Sequence, residues 1–317
     1  VQELHSKLNV LIHIPRYVAS GMDGAVAMIR DYASQSKHSC SILTDKGGYN
    51  HHGIEVYTDD NNYLDHYNKA DVVITHLGKT GKALNSCRKV NKPLIFISHN
   101  TTKYGAIQTH KNVGVIYNAH WTKEKLPYQN DSVVCHPMCV YPDLPEGEGD
   151  HVTLVNCNEN KGVRTLRAIA KSGIKCLGVK GYGIQIKGKY ELLEQDENIY
   201  NILSRTKVLI MPSKKESWGR IGAEALCMGI PVIAHENEGI KECLADSAWY
   251  IDRSDYKGYI NAINRIGGEM ARKYFKGQMK KRLTFLKDQA KDDIRNFDNF
   301  ITKQQKTWLN VRQYATL

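Results

Sequence analysis

Residues 208–235 read VLIMPSKKESWGRIGAEALCMGIPVIAH, and the succession of residue types divides them into strand, loop, helix and strand. The branched apolar run from Val208 to Met211 suits a buried parallel strand, which Pro212-Ser213 ends. A polar loop carrying Glu216 follows. Gly219 opens a segment in which Ile221, Ala225 and Met228 fall at helical spacing, until Gly229 and Pro231 stop it and a second buried strand, PVIA, begins. This order puts Glu216 beyond the carboxyl end of a strand, where open α/β sheets bind ligands, and Glu224 within the next helix. Two carboxylates and a helix N-terminus are expected on one crevice. Backbone N–H groups around Ser217, Trp218 and Gly219 are candidate donors to sugar oxygens or phosphate, because a helix dipole favours an anion at its start. Carboxylates in turn accept well from paired hydroxyls.

Glu216, Trp218-Gly219, Glu224 and the run Gly229-Ile230-Pro231-Val232-Ile233-Ala234 together resemble the donor-site signature of the retaining GT-B glycosyltransferases of family 4. Seven residues separate the two acids, as in that family. Either acid alone reads as a solvated side chain; the joint pattern carries the resemblance. It is specific over 208–242, weaker over 152–162 and only topological in the N-terminal half. The implied fold is α/β, with two Rossmann-like domains facing a central cleft and a C-terminal helix crossing back to the N-terminal domain.

A chain of 317 residues is long enough for two such domains. Hydrophobic content of 41% and charged content of 24% are those of a soluble globular protein, no run is long enough to cross a bilayer, and VQELHSKLN lacks an apolar signal core. A cytoplasmic location is expected. The eight cysteines include no Cys-x-x-Cys pair and read as reduced core residues. Cys135, His136 and Cys139 are the one candidate metal set, but Pro137 stiffens the turn between them and no fourth ligand is evident, so no metal is expected.

In the N-terminal half NVLIHI (9–14) reads as the first strand, followed by a loop through Ser20-Gly21 and the helix DGAVAMIRDYA. Gly21 and Gly24 do not make a Gly-x-Gly-x-x-Gly fingerprint, which disfavours a nicotinamide dehydrogenase. The resemblance makes Gly21 a candidate contact to the donor diphosphate; a glycine needed only for the turn is the competing reading. Further strands are read at 40–44, 54–58, 71–75, 93–98, 113–117 and 132–136, alternating with helices such as 79–90, as in a parallel doubly wound sheet. His76 and His99 both follow strand ends. The resembled family often has a histidine at the position of His99, near the donor sugar and the acceptor, so His99 is preferred over His76; a lone histidine is otherwise a structural hydrogen-bonder.

Pro137 to Asp150, rich in proline, glycine and acid, reads as a linker, giving an N-terminal acceptor domain over 1–138, a linker over 139–151, a donor domain over 152–296 and a returning helix over 297–317. Past VTLVN, Lys161-Gly162 resembles the family's pair whose lysine neutralises the donor diphosphate, a solvated loop lysine being the alternative. Where the family has an arginine a few residues earlier this chain has Asn156 and Cys157, and Arg220 or Arg205 is expected to supply the missing charge. Gly181-Tyr182-Gly183 reads as a turn near the nucleotide.

The resemblance implies transfer from a nucleotide sugar, a UDP-sugar foremost, with no cofactor. Glu224 would hold the ribose, Glu216 with Ser217, Trp218 and Gly219 the sugar, and Lys161 the leaving diphosphate, so that Glu216, His99 and Lys161 are the catalytic candidates. A net charge of +11 and a pI near 9.1 favour a polyanionic partner. From Lys79 to Lys125 the basic residues Lys79, Lys82, Arg88, Lys89, Lys92, Lys103, Lys111, Lys123 and Lys125 face one acid, Glu124, with Tyr104, Tyr117 and Trp121 interleaved. DNA bearing hydroxylated bases, as modified by some phage glycosyltransferases, is therefore placed ahead of an anionic membrane carrying a glycolipid. A nucleotide-sugar epimerase or hydrolase of the same fold, a dinucleotide oxidoreductase and a binding module without turnover are the competing classes.

Overall fold

The computed structural model describes residues 7–17, 24–100, 103–110, 112–181, 186–196, 198–266 and 269–315. Two compact units share the chain: unit 1 holds residues 1–19, 25–139 and 290–317, and unit 2 holds 20–24 and 140–289.

Unit 1 contains β1 (Asn9–His13), α1 (Gly24–Gln35), β2 (Ser39–Thr44), β3 (Tyr49–His51), β4 (Ile54–Thr58), α2 (Tyr63–Lys69), β5 (Val72–Thr75), α3 (Thr80–Val90), β6 (Leu94–Ser98), α4 (Gly105–Gln108), β7 (Val113–Tyr117), α5 (His120–Lys125) and β8 (Ser132–Val134). The strands form one sheet in the order β3-β4-β2-β1-β5-β6-β7-β8, parallel except for β3 against β4. Every residue of β5, β6 and β7 is buried. This is why these strands read as unbroken apolar runs: a parallel strand covered on both faces has no solvent side to encode. The short edge strand Tyr49–His51 has no such run and was not expected from sequence.

Unit 2 contains β9 (His151–Val155), α6 (Val163–Lys171), β10 (Cys176–Val179), β11 (Glu191–Leu193), α7 (Ile199–Leu203), β12 (Thr206–Met211), α8 (Arg220–Cys227), β13 (Val232–Ala234), α9 (Glu238–Leu244), β14 (Ala248–Tyr250) and α10 (Tyr256–Ile266). Its sheet is wholly parallel, in the order β11-β10-β9-β12-β13-β14. The order reverses between β9 and β12, and ligands in such sheets bind beyond the carboxyl ends of the two strands that flank a reversal. On α6, Val163, Leu166, Ile169 and Ala170 are buried while Arg164 and Lys171 are exposed, the amphipathic spacing of a helix laid on a sheet.

The 47-residue helix α11 (Glu269–Ala315) is continuous and contains the stretch from 297 onward that was read as the last helix. In unit 2, Phe275 stacks on Trp249 with ring centres 5.7 Å apart. In unit 1, Phe297 packs on Tyr32 at 4.9 Å, and Asp293 accepts from His136 Nδ1 at 2.8 Å. Among the described residues no helix is long and apolar enough to cross a membrane.

Candidate active site

The two loops at the reversal in unit 2 are tied to each other. After β9 the chain turns through Asn156, whose left-handed backbone (φ 67°) an asparagine tolerates better than most side chains. Asn158 Oδ1 then accepts from the Lys161 amide at 3.0 Å. Gly162 takes φ 87° and lies so close to the other loop that a Cβ there would stand 2.5 Å from Pro212 Cγ, so a side chain is barred by both torsion and space. The Lys214 amide donates to Asn160 O at 2.8 Å. These contacts set the side chains of Lys161 and Glu216 against one another as an ion pair, the lysine 29% and the glutamate 13% exposed. Fifty-five positions separate the two in sequence.

Gly219, itself left-handed, precedes the first turn of α8. Within that helix Arg220 Nε donates to Glu224 Oε1 at 2.7 Å across one turn. Glu224 is 8% exposed, which removes the reading in which it merely faces water. The loop backbone at Ser217 and Gly219 leads into α8, whose first N–H groups lack partners within the helix. Trp218 is 1% exposed, so its indole belongs to the core and only its backbone is a candidate contact.

Several expectations are corrected. Arg205 cannot supply the charge missing near Asn156: it precedes β12, at the amino end of the sheet, and pairs with Glu191 at 2.6 Å. Arg220 lies at the carboxyl end. Arg253, which sequence did not flag, also reaches this end, where it donates to Glu159 O at 2.8 Å from the loop after β14. Asn237 was missed as well. It caps α9 and donates to Ser213 O at 3.2 Å, and an Asn ahead of Glu238 is a readable helix-start signal. Among the described residues, the ligand atoms of Cys135, His136 and Cys139 do not gather as a metal set; His136 is held by Asp293 instead. Gly21 and Gly183 lie outside the described residues.

In unit 1, His76 follows β5 and His99 follows β6, with ring centres 4.6 Å apart. Burial, followed by the neighbouring His99, holds the His76 imidazole well below the usual histidine range, so it is neutral. The basic run from Lys79 to Lys125 does not make one face. Lys79 and Lys82 stand near the carboxyl end of the sheet and are both bound to Asp59, at 2.5 Å each, Lys79 also reaching Asp45 at 2.6 Å. Arg88 and Lys89 sit in the last turn of α3, and Lys92 on the way into β6, because a helix returning over a parallel sheet carries its end to the opposite edge. Lys111 lies outside the described residues. Tyr117 is wholly buried and Tyr104 packs on Phe96 at 5.2 Å, so these two aromatics belong to the core and form no stacking platform.

Residues 182–281 match the family of glycosyl transferases group 1. No curated protein sequence matches the chain. Among solved structures, the chain is similar to Anabaena HepE in complex with UDP-glucose (13% identity, 98% of this chain and 100% of that one, TM-score 0.70). It is also similar to a glycosyltransferase from Rickettsia africae (15%, 96% and 99%, TM-score 0.65) and to sucrose-phosphate synthase from Thermosynechococcus elongatus (15%, 98% and 100%, TM-score 0.62). The two parallel-sheet α/β units thus have the fold of GT-B glycosyltransferases.

Proposed function

We propose that this protein is a retaining glycosyltransferase that moves a sugar from a UDP-sugar to an acceptor hydroxyl. The observation that carries the proposal is the Lys161–Glu216 pair, drawn from the two loops that flank the strand reversal, with Glu224 on the helix that follows. Glu224 accepts from the ribose hydroxyls. Glu216 and the backbone of 217–219 hold the sugar hydroxyls, and Lys161 stabilises the charge that grows on the departing diphosphate, the main electrostatic demand of the reaction. Lys161 carries three donors, so it keeps some free for phosphate while bound to Glu216. Arg220 adds positive charge in place of the arginine absent near Asn156. The acceptor hydroxyl attacks from the front face with the leaving phosphate as base, so no protein nucleophile is needed and no metal is called for. The UDP-glucose bound to Anabaena HepE supports uracil as the base.

For the acceptor we retain a polyanion, DNA with hydroxylated bases before an anionic glycolipid, on the net charge of +11. His99 and Gly21 are assigned to the reacting groups on the resemblance alone. A panel of nucleotide sugars screened by thermal shift tests the donor, since a ligand at a hundred times its dissociation constant stabilises by about 2.7 kcal/mol. A shift with UDP-sugars is expected; no shift with any nucleotide sugar would remove the proposal. Labelled donor offered with hydroxymethylated DNA, unmodified DNA and anionic vesicles carrying lipid acceptors tests the acceptor. Incorporation only into hydroxymethylated DNA is the expected result, and transfer to lipid without DNA binding at low salt would overturn it.

A further inference from the structure

The loop that carries Glu216 is braced from behind by α9, a helix of seven residues. At its start, Asn237 ties α9 to Ser213 O. Gly239 lies against the loop backbone: a Cβ there would stand 2.2 Å from the Glu216 carbonyl oxygen and 2.7 Å from the Ser217 carbonyl carbon. One turn on, the Cys243 thiol donates to Gly219 O at 3.6 Å, and a Cβ on Gly222 would stand 2.9 Å from Leu244 Cδ1. The helix therefore touches the loop and the first turn of α8 along its whole length.

A helix this short is marginal alone, and its last carbonyls have no donors within it. Ser247 Oγ serves Leu244 O, and Arg282 on α11 provides two more. Its Nε donates to Cys243 O at 2.8 Å and its Nη2 donates to Glu242 O. A cation at the carboxyl end of a helix also complements the helix dipole. Phe285 covers the guanidinium, with its ring centre 4.5 Å from Arg282 Cζ, which accounts for a phenylalanine left 52% exposed on this helix.

We propose that Arg282 is a positioning residue for donor binding: it caps the carboxyl end of α9, and α9, through Gly239 and Cys243, sets the backbone of Glu216 to Gly219. This rests on the assignment of that loop to the donor. Without the cap the last turn of α9 frays, and Cys243 and Leu244, which hold Gly219 and Gly222, are the residues in that turn. The loop then has to be ordered by the donor itself, which weakens binding without removing any group that touches the ligand.

The test compares Arg282→Ala, Arg282→Lys and Phe285→Ala with the unaltered protein by hydrogen exchange and by calorimetric binding of UDP. Arg282→Ala is expected to speed exchange in residues 213–222 and 238–245 while leaving unit 1 unchanged, and to weaken UDP binding about tenfold, as loss of hydrogen bonds from a charged group implies. Arg282→Lys restores most of both effects, since an ammonium still donates to carbonyls. Phe285→Ala gives the same pattern at smaller size in a chain that keeps the arginine, and so decides the matter if Arg282→Ala does not fold. Unchanged exchange at 213–222 in a folded Arg282→Ala, or in Phe285→Ala if Arg282→Ala does not fold, overturns the inference, as does exchange raised uniformly over both units. If the unaltered protein does not bind UDP, the donor assignment fails, while the exchange arm still decides whether Arg282 sets the loop.

Discussion

The carboxyl ends of the two sheets use the same residue types to opposite ends. In unit 2, Lys161 pairs with Glu216, the lysine partly open to solvent, and Arg220 pairs with Glu224. In unit 1, the Asp59 side chain is 2% exposed and gathers Lys79, Lys82 and His13 at once, while His13 bonds Tyr67 through its other nitrogen at 2.6 Å. Burial alone would raise the Asp59 carboxyl, yet its bonds to Lys79 and Lys82 hold it at about 2. The first arrangement joins the two loops and one turn of α8 by separate ion pairs. The second consumes its capacity internally and is structural.

The strongest way to break this contrast is Asp59→Asn. Removing the anion leaves Lys82, 37% exposed, and Lys79, which keeps Asp45, without their shared partner, and unfolding free energy should fall by about 1–3 kcal/mol, read by denaturant titration. A loss under 1 kcal/mol would mean the unit 1 network is as open as the unit 2 pairs. Lys161→Ala should behave in the reverse sense. Its melting temperature should stay near that of the unaltered protein, because the pair is partly solvated, while release of UDP from the donor slows by about 10²–10³-fold. Normal turnover would misplace the diphosphate site.

Glu224→Ala sharpens the distinction within unit 2. Calorimetry should show UDP binding weakened about tenfold to a hundredfold with folding retained, whereas Glu216→Gln should leave UDP affinity nearer normal and impair transfer of the sugar. Equal effects on UDP affinity would remove the separate roles. A pH dependence separates the two units further. Burial, against the pull of Asp59, lowers His13 from 6.5 to about 4. The folded state therefore binds its proton less readily than the unfolded chain, so this stabilising contribution is complete above pH 6.5 and is lost as pH falls towards 4. His13→Gln should flatten the stability profile over that window, by at most about 1.4 kcal/mol per pH unit.

What sequence reveals here follows from how each feature is encoded. The strands at 72–75, 94–98 and 113–117 were readable because burial on both faces demands an uninterrupted apolar run. The edge strands Tyr49–His51 and Glu191–Leu193 were not, being three residues long and half polar. Glu216 and Glu224 lie in one motif and were nameable from it, but the pairing of Glu216 with Lys161 is a product of sheet topology that no local pattern records. The basic run is not one patch for a related reason. Residues near in sequence were split between opposite ends of the sheet by the reversal of α3, and the two best placed were already claimed by Asp59. Arg282 carried no local signal, since its partners are backbone carbonyls on another helix.

The eight cysteines bear on how the molecule can be handled. None is in a disulfide, seven are buried, and the partly accessible Cys40 has its thiol pushed up to about 12 by burial. Thiolates, not thiols, attack alkylating reagents, so at neutral pH the native chain is nearly silent toward maleimides while it stays folded. A single cysteine introduced at exposed Lys215 would then take a fluorophore selectively, with no native residue replaced first. The label would sit one position from Glu216 and report on the loop directly, as a spectroscopic handle that the composition, with eight cysteines, would have seemed to forbid.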